Sequence, residues 1–222
     1  MNADTTDPQR LRVAIALFDR FTALDAIGPY EVLQRIPTID VTFVGQQRTP
    51  VRSDNGFLGI EIDATFAELP EPDVVVFPGG IGTRALLADE ATLEWVRHAH
   101  GTTRFTTSVC TGSLVLAAAG LLDGLTATTH WSVLDRLGQL GAVPTSERVV
   151  EHIDRRIITA AGVSSGIDMA LRLVELLVDR TAAEAVQLAI EYDPQPPFDS
   201  GSVAKASAEV LARVKEYAAA RA

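Results

Sequence analysis

The chain of 222 residues has a single cysteine, Cys110, and its 19 lysines and arginines are outnumbered by 29 aspartates and glutamates. One cysteine has no partner for an internal disulfide and cannot build a multi-cysteine metal cluster, so the thiol is free. A formal net charge of −10 produces a field that repels phosphate backbones and anionic lipid surfaces, which argues against nucleic acid or a membrane as a direct partner. No segment approaches the roughly 18 unbroken apolar residues of a membrane-spanning helix. The opening MNADTTDPQR lacks the cationic start and apolar core of a signal peptide, so a cytoplasmic protein is expected. Repeats, low-complexity tracts and a linker are also missing. We therefore expect residues 1–10 as a flexible N-terminal segment and residues 11–222 as one domain.

What is present is an alternation. LRVAIAL (11–17) has strand length and DAIGPYEVLQRI (25–36) has helical spacing. DVTFVG (40–45) reads as a strand, SDNG (53–56) as a hairpin-type turn and FLGIEI (57–62) as a short strand. DVVVFPGG (73–80) is a buried strand that breaks at Pro78. A helix over DEATLEWVRHAH, the strand RFTTSV and a helix from Thr111 to Ala119 follow. HWSVLDRLGQLG reads as a helix, ERVVEHIDRRIITA as a hairpin of polar-rich strands, and SGIDMALRLVELLVDR and TAAEAVQLAIEY as helices. In SVAKASAEVLARVKEYAAA the stripe Val203, Val210, Leu211 and Val214 needs cover, from its own domain or from a second copy. Such alternation predicts an α/β layered fold with a mostly parallel sheet and helices on both faces.

In open parallel sheets, ligands bind beyond the carboxyl ends of the strands. Three features fall there: Asp25 after the first strand, Pro78-Gly79-Gly80, and Cys110 after RFTTSV. A lone cysteine is most often a small core residue. Here, however, small residues follow it at a strand-to-helix turn, which permits a tight elbow that lifts the side chain into the crevice. A helix N-terminus would also favour the thiolate. Gly79 and Gly80 would offer backbone N–H groups to a ligand, or simply end a strand. Asp25 reads equally as a helix cap and as an acid–base partner for the sulfur; beside the thiol it would titrate as part of a pair. His98, His100 and His152 are expected on the surface. His130, followed by Trp131 in TATTHW, is a candidate for the substrate pocket or a structural histidine, and no histidine pair has metal-ligand spacing.

TTSVCTGSLVLAAAGLLDG, TATTHW, LDAIGP, PGG, AAGVSSGIDMAL and EYDPQPPFDSGS together resemble the ThiJ/PfpI superfamily, and within it the isocyanide hydratases. The resemblance covers nearly the whole chain. It implies a flavodoxin-like fold, a homodimer, Cys110 as nucleophile, Asp25 as its acidic partner, Thr111 in the hydratase pattern, and Val163 as backbone and apolar wall beside the thiol. It further implies hydration of a small isocyanide to an N-substituted formamide, with no metal, nicotinamide or flavin. The AAG run and a hairpin longer by two residues at EHIDRR depart from the hydratase pattern and bear on pocket shape. Rival readings are the ligand-binding half of an AraC-type regulator, which would bring a further DNA-binding domain, and another thiol enzyme or peroxide sensor.

Overall fold

The computed structural model describes residues 10–220; the rest of the segment expected to be flexible, residues 1–9, lies outside the described residues. The chain divides into two compact units, one ending at Ile190 and one beginning at Glu191. The first contains β1 (Leu11–Ala16), α1 (Ala23–Leu33), β2 (Ile39–Gly45), β3 (Val51–Arg52), β4 (Gly59–Ile60), β5 (Ala64–Thr65) and β6 (Val74–Phe77). It continues with α2 (Thr83–Leu86), α3 (Glu90–Thr102), β7 (Phe105–Val109), α4 (Gly112–Ala118), β8 (Thr126–Ala127), α5 (Leu134–Gln139) and β9 (Val143–Pro144). The hairpin β10 (Val149–His152) and β11 (Ile157–Ala160), then α6 (Ser165–Leu177) and α7 (Arg180–Ala189), complete it.

Seven strands form the main sheet in the order β10-β11-β7-β6-β1-β2-β5. Every pairing is parallel except that of β10 with β11. From β1 the chain steps outward to β2 and β5, then returns to build β6, β7 and β11 on the other side. The switch falls between β1 and β6, where a crevice opens at the carboxyl ends.

Both faces of the sheet are covered, and the alternation along the strands decides which core each side chain joins. Val13, Ile15, Val74 and Val76 pack on one face with Val32 and Leu33 of α1 and Met169 and Leu173 of α6. Ala14, Ala16, Val75 and Phe77 face the other way, toward Val96 of α3 and Leu116 of α4. Each large side chain so buried contributes roughly 1.5–3 kcal/mol. β7 is unusual in carrying three buried polar residues, Thr106, Thr107 and Ser108. Thr107 meets the cost by donating its hydroxyl to the Val75 carbonyl at 3.0 Å.

Several boundaries differ from expectation. α1 starts two residues before Asp25, so that residue lies inside the first turn and Thr22 is the N-cap. Residues 130–141 form a 3₁₀ turn, Trp131–Val133, followed by the short α5. FLGIEI pairs only at Gly59 and Ile60, and β11, expected to be polar-rich, is buried throughout. In the second unit α8 (Ala208–Ala219) begins at Ser207, whose hydroxyl accepts the Val210 N–H, which leaves Val203 outside the helix.

Candidate active site

β7 ends at Val109 and α4 begins at Gly112, so the turn between them is only Cys110 and Thr111. Cys110 adopts φ +57°, a left-handed conformation that costs an L-residue on the order of 1–3 kcal/mol and persists only where its surroundings hold it. They do so at both ends. The Cys110 amide donates to the carbonyls of Ala160 (3.0 Å) and Ala161 (2.7 Å). Its carbonyl accepts the hydroxyls of Thr129 (2.9 Å) and Ser113 (3.1 Å). A Cβ at Gly112 would lie 2.1 Å from the Phe77 carbonyl oxygen; only glycine allows this close an approach. The sulfur is buried yet faces the backbone N–H groups of Thr111 and Val163 and the carboxyl of Asp25.

Asp25 is completely buried. It does not cap α1; its Oδ2 accepts the Gly79 N–H at 2.9 Å. Oδ1 has no well-formed hydrogen bond, although the thiol is close enough to interact with the carboxyl. Burial, against the pull of the Gly79 amide and the thiol, pushes this carboxyl up to about 7, and Asp54 adds a smaller push through its charge. The amides at the helix terminus do favour the thiolate, as expected, but burial outweighs them. Burial, with the Asp25 charge second, holds the thiol well above the ordinary range, and the amides of Thr111 and Val163 only reduce the effect. Both shifts favour the protonated forms, so thiol and carboxyl hold their protons as a coupled pair more tightly than either would in water.

The Gly79–Gly82 loop presents its amides differently from the sequence reading, in which Gly79 and Gly80 offer theirs to a ligand. Gly79 donates to Asp25 (2.9 Å) and Gly80 to the Thr111 hydroxyl (2.9 Å). Ile81 donates to Asp54 (3.1 Å) and Gly82 to the Arg20 carbonyl (3.1 Å). These glycines position the acid and the elbow. A Cβ at Gly79 would stand 2.5 Å from the Thr111 nitrogen and 2.8 Å from Asp25 Oδ2, and Gly80 has φ +141°. The Thr111 hydroxyl, besides accepting from Gly80, lies 3.1 Å from both the Gly80 carbonyl and the Thr83 hydroxyl. Thr111 thus ties the elbow to the loop through its side chain and faces the sulfur with its amide.

Around this centre, Val163 has φ +21°, out of the range a β-branched residue prefers, and its N–H points at the sulfur. His130 lies over Gly162, where an added Cβ would be 2.8 Å from the imidazole Cδ2. Its Nδ1 is 2.7 Å from the Ser132 hydroxyl, and burial lowers its proton affinity. Trp131 is 40% exposed with its ring 5.4 Å from that of His130. Of the other histidines, His98 is exposed and 3.5 Å from Glu71. His152 reaches the Thr126 carbonyl at 2.7 Å. His100, expected on the surface, is half-buried with Nδ1 3.0 Å from the Thr106 hydroxyl. Asp54, Thr83 and Thr129 escaped the sequence reading. In SDNG, Asp54 looks like turn chemistry, and only the fold brings it to Thr22, whose hydroxyl donates to it at 2.6 Å.

Known proteins place this arrangement in context. The chain is 44% identical over 209 residues to the isonitrile hydratase of Pseudomonas putida, spanning 94% of this chain and 90% of that protein. It is 30% identical over 146 residues to an HTH-type transcriptional regulator of Pseudomonas aeruginosa, of which it spans only 41%. The crystal structure of a ThiJ/PfpI family protein from Pseudomonas syringae superposes with a TM-score of 0.89 at 39% identity, covering 99% of this chain and 91% of that one. Drosophila melanogaster DJ-1beta shares the fold, with a TM-score of 0.74 at 23% identity over 82% of this chain and 98% of its own. The DJ-1/PfpI family model matches residues 11–176, a span that holds β1, the elbow and the hairpin alike, and the chain belongs to the DJ-1/PfpI family.

Proposed function

We propose that this protein is an isocyanide (isonitrile) hydratase, converting R–N≡C and water to R–NH–CHO, with Cys110 as nucleophile and Asp25 as proton carrier. The buried carboxyl that faces the only thiol, with one oxygen fixed by Gly79 and the other unpartnered, carries the reading. Similarity over nearly the full length of an isonitrile hydratase supports it.

The terminal carbon of an isocyanide is both electrophilic and the holder of a lone pair, so attack there has to be matched by protonation of that carbon. In the first step a bond forms between Sγ and the carbon, and the carbon lone pair takes a proton from the Asp25 carboxyl. The thiol proton passes to Asp25, and the product is the thioimidate R–N=CH–S–Cys110. Water then adds to the carbon while Asp25 hands its proton to the nitrogen and takes one from the water, giving R–NH–CH(OH)–S–Cys110. Collapse to the carbonyl breaks the C–S bond, returns a proton to sulfur and releases the formamide. Splitting a hydration into two easier additions is covalent catalysis, and a proton affinity near 7 suits a group that gives and takes a proton in one cycle. The amides of Thr111 and Val163 soften the developing negative charge on sulfur. Val163, His130 and Trp131 are the groups we assign to the walls around R; Gly79, Gly80 and Thr111 we assign to positioning.

The decisive experiment mixes the purified protein with p-nitrophenyl isocyanide or cyclohexyl isocyanide and follows the formamide. Turnover is expected, together with a covalent species heavier than the protein by the whole mass of the isocyanide, located on Cys110. Cys110→Ala should lose both, with turnover down by about 10⁵-fold or more, as when a nucleophile is removed. Ligand binding without product, or turnover of methylglyoxal and not of isocyanides, would overturn the reading.

A further inference from the structure

A cavity of about 700 Å³ opens beyond the carboxyl ends of β1, β2 and β6, and neither Cys110 nor Asp25 lines it. It shares a wall with the thiol site, since Ile81 and Gly82 line the cavity whereas Gly79 and Gly80 bond Asp25 and Thr111. The volume falls within the range of small-molecule sites, and the position, next to the β1/β6 switch, is where open α/β sheets bind ligands.

Its floor is apolar: Leu17, Phe18, Ile62, Phe66 and Phe77 all contribute, with the rings of Phe18 and Phe77 stacked at 5.9 Å. Arg20 and Arg84 also line it, and both are exposed. In this acidic chain most described arginines are paired, as in Arg48–Glu68, Arg97–Glu90 and Arg172–Glu151. The Arg20 guanidinium has no hydrogen bond or ion pair among the described residues, and that of Arg84 reaches only the Ile81 carbonyl at 3.5 Å. The one acid in the lining, Asp19, accepts the Arg52 N–H at 3.2 Å.

Arg20 is moreover held at φ +63°. Its amide donates to the Arg52 carbonyl at 2.6 Å and its own carbonyl accepts the Gly82 N–H at 3.1 Å. A non-glycine residue in this conformation is uncommon, and here its backbone is held from both sides. Two guanidiniums with no acid partner among the described residues, over an apolar floor, form a receptor for an amphipathic anion, because the planar fork matches a carboxylate and the body can leave water. The amides of Ile81 and Gly82 are already taken. The charged donors left are those of the two arginines, which suit one singly charged head better than a polyphosphate.

We propose that this cavity is a second ligand site, for a small aryl or alkyl carboxylate whose head is held by Arg20 and Arg84 and whose body rests on Phe18 and Phe66. The proposal does not depend on the hydratase reading. Titration calorimetry of the full chain with phenylacetate, and in parallel with the neutral phenylacetamide, tests it. Saturable binding of phenylacetate is expected, weakened about tenfold or more by Arg20→Gln and by Arg84→Gln, since a hydrogen bond to a charged group contributes roughly 1.5–3 kcal/mol. Phenylacetamide should bind at least about tenfold more weakly for the same reason, while Asp25→Asn and Cys110→Ala leave phenylacetate binding unchanged. The proposal is overturned by the absence of saturable binding up to about 10 mM, a range that reaches affinities of only a few kcal/mol. Equal affinity for the amide, indifference to both arginine variants in chains that keep the native circular dichroism spectrum, or loss of binding in Asp25→Asn would overturn it as well.

Discussion

The Gly79–Gly82 loop separates two polar environments built on opposite principles. Toward Cys110, a carboxyl with no exposed surface has one oxygen bonded and one left over, and its proton affinity is pushed up to about 7. Toward Arg20 and Arg84, the charges are exposed and have no acid partner among the described residues. Desolvation tunes the first side; water tolerates the second. The difference teaches that the chemistry of Asp25 depends on exact packing, whereas the arginine side can lose a charge at little cost to the fold.

That comparison can be broken in order of effect. Asp25→Asn keeps the shape and the Gly79 hydrogen bond but cannot pass a proton; kcat for isocyanide hydration should fall by roughly 10²–10⁴-fold, the span of general acid–base catalysis, with native circular dichroism retained. Full activity would mean that another group carries the proton. Gly79→Ala forces a Cβ to within 2.5 Å of the Thr111 nitrogen and 2.8 Å of Asp25 Oδ2. Overpacking of this kind costs about 1–3 kcal/mol, so the denaturation midpoint and the turnover should drop together, and a drop in only one would show that the loop does not couple them.

A gentler probe is pH. Asp25 has a folded-state value near 7 against 3.8 for the free side chain. Between these values the native state keeps a proton that the unfolded chain has lost, so stability falls as pH rises through the window and levels off above it. A shift of this size corresponds to on the order of 4 kcal/mol. In Asp25→Asn that slope disappears. Urea midpoints at pH 5 and pH 8 should therefore fall further in the wild type than in the variant, and equal falls would count against the buried acid. Confined to stability is Thr111→Val, which leaves the Gly80 N–H without its acceptor and should cost about 1–3 kcal/mol. Thr111→Ser restores the oxygen and should recover most of it by the same denaturation measurement.

How far the sequence foretells this molecule depends on whether a feature is local. The Val-rich run of β6 and the small residues after Cys110 declare a buried strand and a tight elbow because adjacent side chains set both. Asp25 was legible as a candidate but not as a choice, since a cap and a buried acid look alike until Thr22 is found at the N-cap and Gly79 on Oδ2. The loop amides misled: PGGIG shows four donors, and only the fold supplies Asp25, Thr111, Asp54 and the Arg20 carbonyl as their acceptors. Thr83 and Thr129 carry no signature, because a threonine near a helix start or after a short strand is commonplace. The break of 130–141 into a 3₁₀ turn and a short α5 likewise escapes periodicity, as the cap there is the His130 side chain accepting the Ser132 N–H.

The left-handed backbone at position 110 sets chemistry and durability against each other. Glycine would rest there without strain, so a lineage propagated under heat, with no demand for turnover, should drift toward it and grow hardier as it falls silent. Keeping sulfur at that corner is a standing tax on folding that only a useful reaction can justify.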